Sequence, residues 1–327
     1  MADDPAIEHY IRAHRLRPVE LLPWLVAFLG YFEFADYLPL GSQILIMILF
    51  ALSLDLVLGY AGIVTLGHAA FFGVGAYAAG IYAVHVSGEP LSGLLAGALA
   101  AGAVGLASGA VILRTTGLTL LMLTLAVTSL LSAAANDAGF ITGGNDGLQG
   151  VAIDPILGAF GFDMFGRTAY LYCLAVLFAA WLFVRRLVHS PFGRSLVGIR
   201  ENVIRMHAIG APVRRRLLTV YTISAALAGI AGALLTQTTQ FVGLTVLSFE
   251  RSGAIVIMLV LGGAGRLYGA FVGATLYMIA QDQLAEMDPI FWDFWIGLLL
   301  VLIVLFARGG VLGLIDRALL LLMRRRR

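Results

Sequence analysis

The apolar residues of this chain come in stretches as long as a bilayer is thick, and that leaves few folds open to it. A helix rises 1.5 Å per residue, so crossing a hydrocarbon core of about 30 Å takes about 20 mostly apolar residues. Stretches near 19–38, 43–59, 69–87, 91–112, 117–135, 168–185, 217–240, 252–265, 268–286 and 291–307 meet or approach that length. They predict an all-α polytopic membrane bundle of about ten transmembrane helices, with glycine-rich breaks dividing 43–87 and 252–286. Composition closes off a soluble alternative: 60% of residues are hydrophobic and 12% charged, against about 25% charged in soluble domains.

The bases give this bundle a direction. All 21 are arginine. With ten spans and a cytoplasmic N-terminus, all but Arg167 and Arg251 fall on the cytoplasmic side, as the positive-inside rule requires. The acids Glu89, Asp137, Asp146, Asp154, Asp163, Glu250, Glu286 and Asp288 fall on the other side. The expected plan is a cytoplasmic segment at 1–18, a membrane domain at 19–307 and a basic cytoplasmic tail at 308–327. Its longest loops are external at 136–168 and cytoplasmic at 185–216. No small-residue cleavage site follows the first apolar run, which reads as an uncleaved span. The absence of lysine also excludes a P-loop, whose lysine reaches the phosphates of ATP, so any nucleotide driving this protein binds to another chain.

Small residues recur every four positions at Gly93, Gly97, Ala101, Gly105 and Gly109, and again at Ala225, Gly229 and Ala233. Such stripes let helix backbones approach closely in lipid. The lone Cys173, inside an apolar run, reads as a small core residue. Nothing in the sequence calls for a metal, a cofactor or a nucleic acid.

Two segments break the helical pattern. Val57 to Gly62 and Val260 to Gly265 both read V-L-G-x-A-G between short apolar stretches. Paired glycine interruptions in a transporter point to unwound backbone beside a pathway, although ordinary tight turns would use the same glycines. The candidate path residues are Asp55, Gly59, Tyr60, Gly62, Thr65, Gly67 and His68 in the first break, with Gly262, Gly263 and Gly265 in the second. Asp55 and His68 are ionisable groups near bilayer depth, costly there unless paired or hydrated. The functional reading makes them posts near a path or hinge clamps; the structural one has Asp55 satisfying a neighbouring helix and His68 capping the break.

The loop at 185–216 carries a helical pattern of its own. Ser190-Pro191 is a start and Gly210 followed by Pro212 a stop. Between them Leu196, Ile199, Val203 and Met206 form an apolar stripe, with Arg194, Arg200, Glu201 and Arg205 elsewhere on the surface. A tethered amphipathic helix near 192–209 could lie on the membrane, pack under its own bundle or enter a partner's groove.

Five blocks together carry a family resemblance: L-x-L-D-L-V-L-G-Y-A-G-x-x-x-L-G-H-A-A-F-F-G-V-G-A-Y (52–77), T-G-G-N-D-G-L-Q-G (142–150), S-P-F-G-R-S-L-V-G-I-R-E-N (190–202), S-A-A-L-A-G-I-A-G-A-L (224–234) and V-L-G-G-A-G-R-L-Y-G-A-F-V-G-A (260–274). The chain resembles, over roughly 40–315, the LivM-type permease subunit of branched-chain amino-acid ABC importers. The resemblance implies a multi-pass protein of the bacterial cytoplasmic membrane with both termini inside. Its implied partners are a LivH-type second permease, two cytoplasmic ABC ATPases and an external substrate-binding protein. It selects the partner groove for the loop helix, with Leu196, Ile199, Arg200, Glu201, Val203, Met206 and Gly210 as ATPase-docking residues. It also puts Thr142, Gly143, Gly144, Asp146 and Gly147 on the outer face, where a glycine-rich turn would look the same. The sequence departs from the family pattern twice: Ile204-Arg205-Met206 stands where E-A-A is usual ahead of Gly210, and Asp55 stands where asparagine is usual.

Other readings give different expectations. A permease for urea, short amides or other small polar solutes shares the same plan. A stand-alone secondary transporter would carry more intramembrane acids than Asp55. A membrane enzyme would show H-E-x-x-H or G-x-S-x-G, and neither occurs.

Overall fold

The computed structural model describes residues 22–33, 37–156, 158, 160–163, 166–289, 291–292, 294–298, 301 and 309–313. The described chain is helical, and its pairing outside helices is two isolated bridges, Leu148 with Val242 and Ile156 with Phe160. In chain order the helices are α1 (Leu22–Glu33), α2 (Leu38–Asp55), α3 (Ala69–His85), α4 (Pro90–Ile112), α5 (Leu118–Asp137), α6 (Gly139–Thr142), α7 (Arg167–His189), α8 (Pro191–Glu201), α9 (Val203–Ala208), α10 (Val213–Thr239), α11 (Phe249–Gly262) and α12 (Gly269–Met287). Prolines mark several starts: Pro39, Pro90 and Pro191 lie in first turns, where a missing N–H costs nothing.

The expectation of about ten spans is only partly met. Among the described residues five helices are long and apolar enough to cross a membrane: Leu38–Tyr60, Pro90–Ile112, Leu118–Asp137, Arg167–His189 and Val213–Thr239. The expected spans at 69–87 and 252–265 are shorter helices, of 17 and 14 residues. A break bounds each of them, ahead of α3 and at the end of α11. α12 is 19 residues long, but Gln281, Asp282, Gln283 and Glu286 make its second half polar. In the first expected span, α1 ends at Glu33 and α2 has already begun by Pro39. The expectations for 1–18, for most of 291–307 and for Arg324 to Arg327 lie outside the described residues.

The core is a three-helix slab of α3, α4 and α10 built on the small-residue stripes. A side chain at Gly97 would meet Ala233 and the carbonyls of Gly75 and Gly229; at Gly105, Ala225; at Gly109, Tyr221. Glycine keeps these backbones in contact where lipid gives no hydrophobic drive to association. α2 is the most enclosed helix, with every residue from Leu45 to Asp55 buried. α1 is held by Trp24, whose indole meets Phe178, Trp181 and Phe271 edge-on at 5.0–5.4 Å, a favoured aromatic geometry. Cys173 is buried on α7 among apolar neighbours.

Candidate functional site

The two V-L-G-x-A-G breaks, about 200 residues apart in sequence, lie against each other. α2 does not stop at Asp55 but loosens into one π-helical turn, Leu56–Tyr60, with Ala61 N–H bonded to the carbonyl of Leu56 at 3.2 Å. Such turns recur at functional sites. Asp55 is fully buried there. Its Oδ1 accepts the backbone N–H of Gly265 at 2.7 Å, while its Oδ2 has no partner among the described residues. Tyr60 ends that turn and is itself buried. Gly59 is where the breaks touch: a Cβ on it would strike both the Asp55 carboxylate and the amide nitrogen of Gly265.

The loop helix joins the same point. Arg200, near the end of α8, donates from its guanidinium to the carbonyl of Gly59, and its aliphatic stem covers Gly62. The sequence put Arg200 on the free surface of a docking helix. Arg200 is exposed there, and its head is also tied to the bundle, because the π turn leaves the Gly59 carbonyl open to a donor below it. One arginine therefore touches the first break directly and the second at one remove, since a Cβ added at Gly265 would lie 3.0 Å from its Nη1.

The remaining break residues shape the return of the chain. From Gly62, at φ +74°, residues 63–68 double back beside α2. Ile63 N–H bonds to Val57 and Leu66 N–H to the Thr124 hydroxyl. Thr65, almost fully buried, accepts from Gly67 at 3.2 Å, and Gly67 lies flat on the Thr124 carbonyl. His68 stands at the head of α3 but does not cap it. Its Nε2 lies 2.9 Å from the Ser53 hydroxyl, and its ring stacks on Phe50 at 5.6 Å. Expected beside a path or as a cap, it is a buried spacer between α2 and α3. Gly262 and Gly263 form the tight corner into α12, Gly262 against the Gly269 carbonyl.

The single helix expected near 192–209 is two. Ser190 caps α8, accepting from Gly193 at 3.3 Å. At Asn202 the backbone is extended and the side chain caps α9, accepting from Arg205 at 2.9 Å. The break splits the expected docking stripe. Leu196 and Ile199 are 1% exposed and pack under their own bundle, and Met206 folds back over Gly198. Val203 stays exposed, joined by Ile204 at 82% and Ile209 at 70%. Sequence reasoning passed over these last two. Ile204 carries a signal, a bulky apolar residue where the family pattern has an acid; Ile209, at an unspecified position of that pattern, carries none. Glu201 is exposed, and Gly210, at φ +78°, ends the loop helix as expected.

At the opposite end of the bundle, Thr142, Gly143, Gly144, Asp146 and Gly147 form one compact turn. The Thr142 hydroxyl donates to Ala138 at 2.9 Å and accepts from Gly144 at 3.3 Å. Asp146 points to the surface. Gly147 (φ +76°) presses on the Val242 carbonyl, and Leu148 pairs with Val242 through N–H to O contacts of 2.8 and 3.4 Å. The turn is thereby fastened to the strand-like segment between α10 and α11. Among the described residues no three His, Cys, Asp or Glu side chains lie close enough to hold a metal ion.

Spans broken near one end, pressed together there and gripped by an interhelical loop define a multi-pass membrane transport component. Residues 38–315 match the family described as branched-chain amino acid transport system / permease component, and the chain belongs to that family. It is similar to the high-affinity branched-chain amino acid transport system permease protein LivM of Escherichia coli K12, at 28% identity over 94% of this chain and 77% of that one. The LivM protein of Salmonella typhimurium is 28% identical over 84% of this chain and 69% of its own. A probable LivM of Methanocaldococcus jannaschii is 25% identical over 80% and 89%. No solved structure matches the chain.

Proposed function

We propose that this chain is the LivM-type half of the channel of an ATP-driven, binding-protein-dependent importer of branched-chain amino acids in the bacterial cytoplasmic membrane. Its partners on this reading are a LivH-type second permease, two ABC ATPases beneath the pair and a substrate-binding protein on the outer face. The termini and the α8–α9 loop are cytoplasmic, and the Thr142–Gly147 turn is external.

The observation that carries the reading is the Arg200 contact with Gly59. An ATPase displaces a loop helix; to do work in the membrane, that displacement must reach the spans. Arg200 connects α8 to the first break, and Asp55 and Gly59 connect the first break to the second. The exposed Val203, Ile204 and Ile209 give an ATPase an apolar hold on the adjoining α9. Closure of the ATPases then moves both breaks together and releases substrate inward without chemistry on it.

The test is uptake of radiolabelled leucine, isoleucine and valine in cells lacking each candidate ATPase gene. Loss of uptake together with co-purification of an ATPase is the expected result. Uptake that survives removal of every ATPase, driven by an ion gradient, would instead make the chain a secondary transporter.

A further inference from the structure

A cavity of about 650 Å³ lies between α2, α11 and α12, away from the Arg200 junction. It is within the range of small-molecule pockets, and its polar lining is unusual for its depth. Arg251, in the first turn of α11, lies over the face of Phe72 at 5.7 Å. Phe72 packs at 4.5 Å on Phe50, twelve residues and about 18 Å along α2 from Leu38. The Arg251 guanidinium therefore packs toward the middle of that apolar helix, where a charged side chain is expensive and points to function. Glu250, Gln43 and Gln281 line the same space. Among the described residues neither Arg251 nor Glu250 makes an ion pair.

A cation and an anion side by side, neither spent on the other, complement a ligand carrying both charges. The N-terminal end of α11 opens on the same cavity through Ser248, and its dipole adds to the attraction for an anion. Ile46, Met47, Ile255 and Met258 give the wall an apolar side, with Thr245 and Tyr277 elsewhere on it. We infer that this cavity is a binding site for a zwitterionic α-amino acid with a compact apolar side chain. Arg251 and the start of α11 take the carboxylate, Glu250 takes the ammonium, and the isoleucine–methionine wall takes the side chain. This deepens the reading above and rests on it for the passage of an amino acid through this chain, but it assigns the contact to particular residues.

Trp292, on the cavity wall, supplies the readout. The purified full chain in lipid nanodiscs is titrated with L-leucine, leucinamide and 4-methylpentanoate while tryptophan fluorescence is followed. A variant keeping Trp292 but with the other tryptophans replaced by phenylalanine isolates its signal. Leucine gives a saturable change, and the analogues lacking the carboxylate or the ammonium bind at least about tenfold more weakly, the worth of a charged hydrogen bond. Arg251→Gln brings the leucine midpoint up to that of leucinamide, and Arg251→Lys lies between. No saturable response to leucine, or equal midpoints for leucine and both analogues on the unsubstituted chain, overturns the assignment. The analogue comparison needs no substitution at Arg251, so it stands if Arg251→Gln fails to fold. Leucine binding together with uptake that survives removal of every ATPase would leave this site and remove the importer reading; ATP-dependent uptake without leucine binding would do the reverse.

Discussion

Asp55 and Gly265 are joined by a 2.7 Å hydrogen bond across 210 positions of sequence, and that bond holds the two broken spans as one unit. The carboxylate is fully buried and uses one oxygen, leaving Oδ2 without a partner among the described residues. Full burial with hydrogen bonding this incomplete costs free energy, so the carboxylate's worth lies in what it holds.

Replacing that carboxylate separates the two effects. Asp55→Asn keeps an acceptor for Gly265 and removes the buried charge, so it accumulates and melts at or above the level of the unsubstituted protein. Asp55→Ala strands the Gly265 N–H and costs about 1–3 kcal/mol. Thermal denaturation in detergent compares them; equal melting of Asp55→Ala and the unsubstituted chain would show the bond to be idle.

Arg200 should separate docking from coupling. Arg200→Ala leaves Val203, Ile204 and Ile209 in place, so ATPase co-purification is unchanged. Its hydrogen bond to a buried carbonyl is worth about 1.5–3 kcal/mol, and uptake should fall by about tenfold or more without it. Arg200→Lys recovers part of the loss. Parallel loss of uptake and of ATPase association would assign Arg200 to the docking surface instead.

The loop stripe gives a third contrast. Ile204→Asp and Val203→Asp put charge on an exposed surface and should abolish ATPase pull-down while membrane insertion continues. Leu196→Asp buries a charge at a cost of several kcal/mol and lowers the amount of folded chain. If Leu196→Asp folds and loses only the ATPase, the stripe docks as one face after all.

Glycines of the helical slab test packing. Gly229→Ala drives a methyl into Ala101 and the Gly97 carbonyl, an overpacking worth about 1–3 kcal/mol. At Gly102 the nearest atom, Ala226 Cβ, is 3.5 Å from the added methyl, so Gly102→Ala stays within about 0.5 kcal/mol of the unsubstituted protein. Melting temperatures of the pair, measured side by side, check the difference.

Much of this architecture is legible in the sequence because lipid imposes simple rules. Apolar length marks α4, α5, α7 and α10, and four-residue spacing of small side chains marks the faces on which α4 and α10 meet. The echo of V-L-G-x-A-G marks two breaks. Their contact is not legible, because pairing between Asp55 and Gly265 depends on how α2 and α11 pack rather than on any local pattern. Arg200 is hidden for the same reason: an arginine on an amphipathic helix looks solvated until a carbonyl from elsewhere comes within its reach. The split at Asn202 is a local signal, an asparagine cap, outweighed by apolar spacing that runs straight through it. Arg251 and Glu250 read only as the edge of a loop, because apolar length does not show that the first turn of α11 faces a cavity.

The pairing of Leu148 with Val242 has a mechanical consequence. Val242 lies seven residues before α11, on a tether whose Leu247 already presses against Gly73. A tug on the Thr142–Gly147 turn is therefore transmitted along a short, braced strut to the helix bearing Arg251. Turn and helix share a lever arm, so a protein pressing on one has purchase on the other.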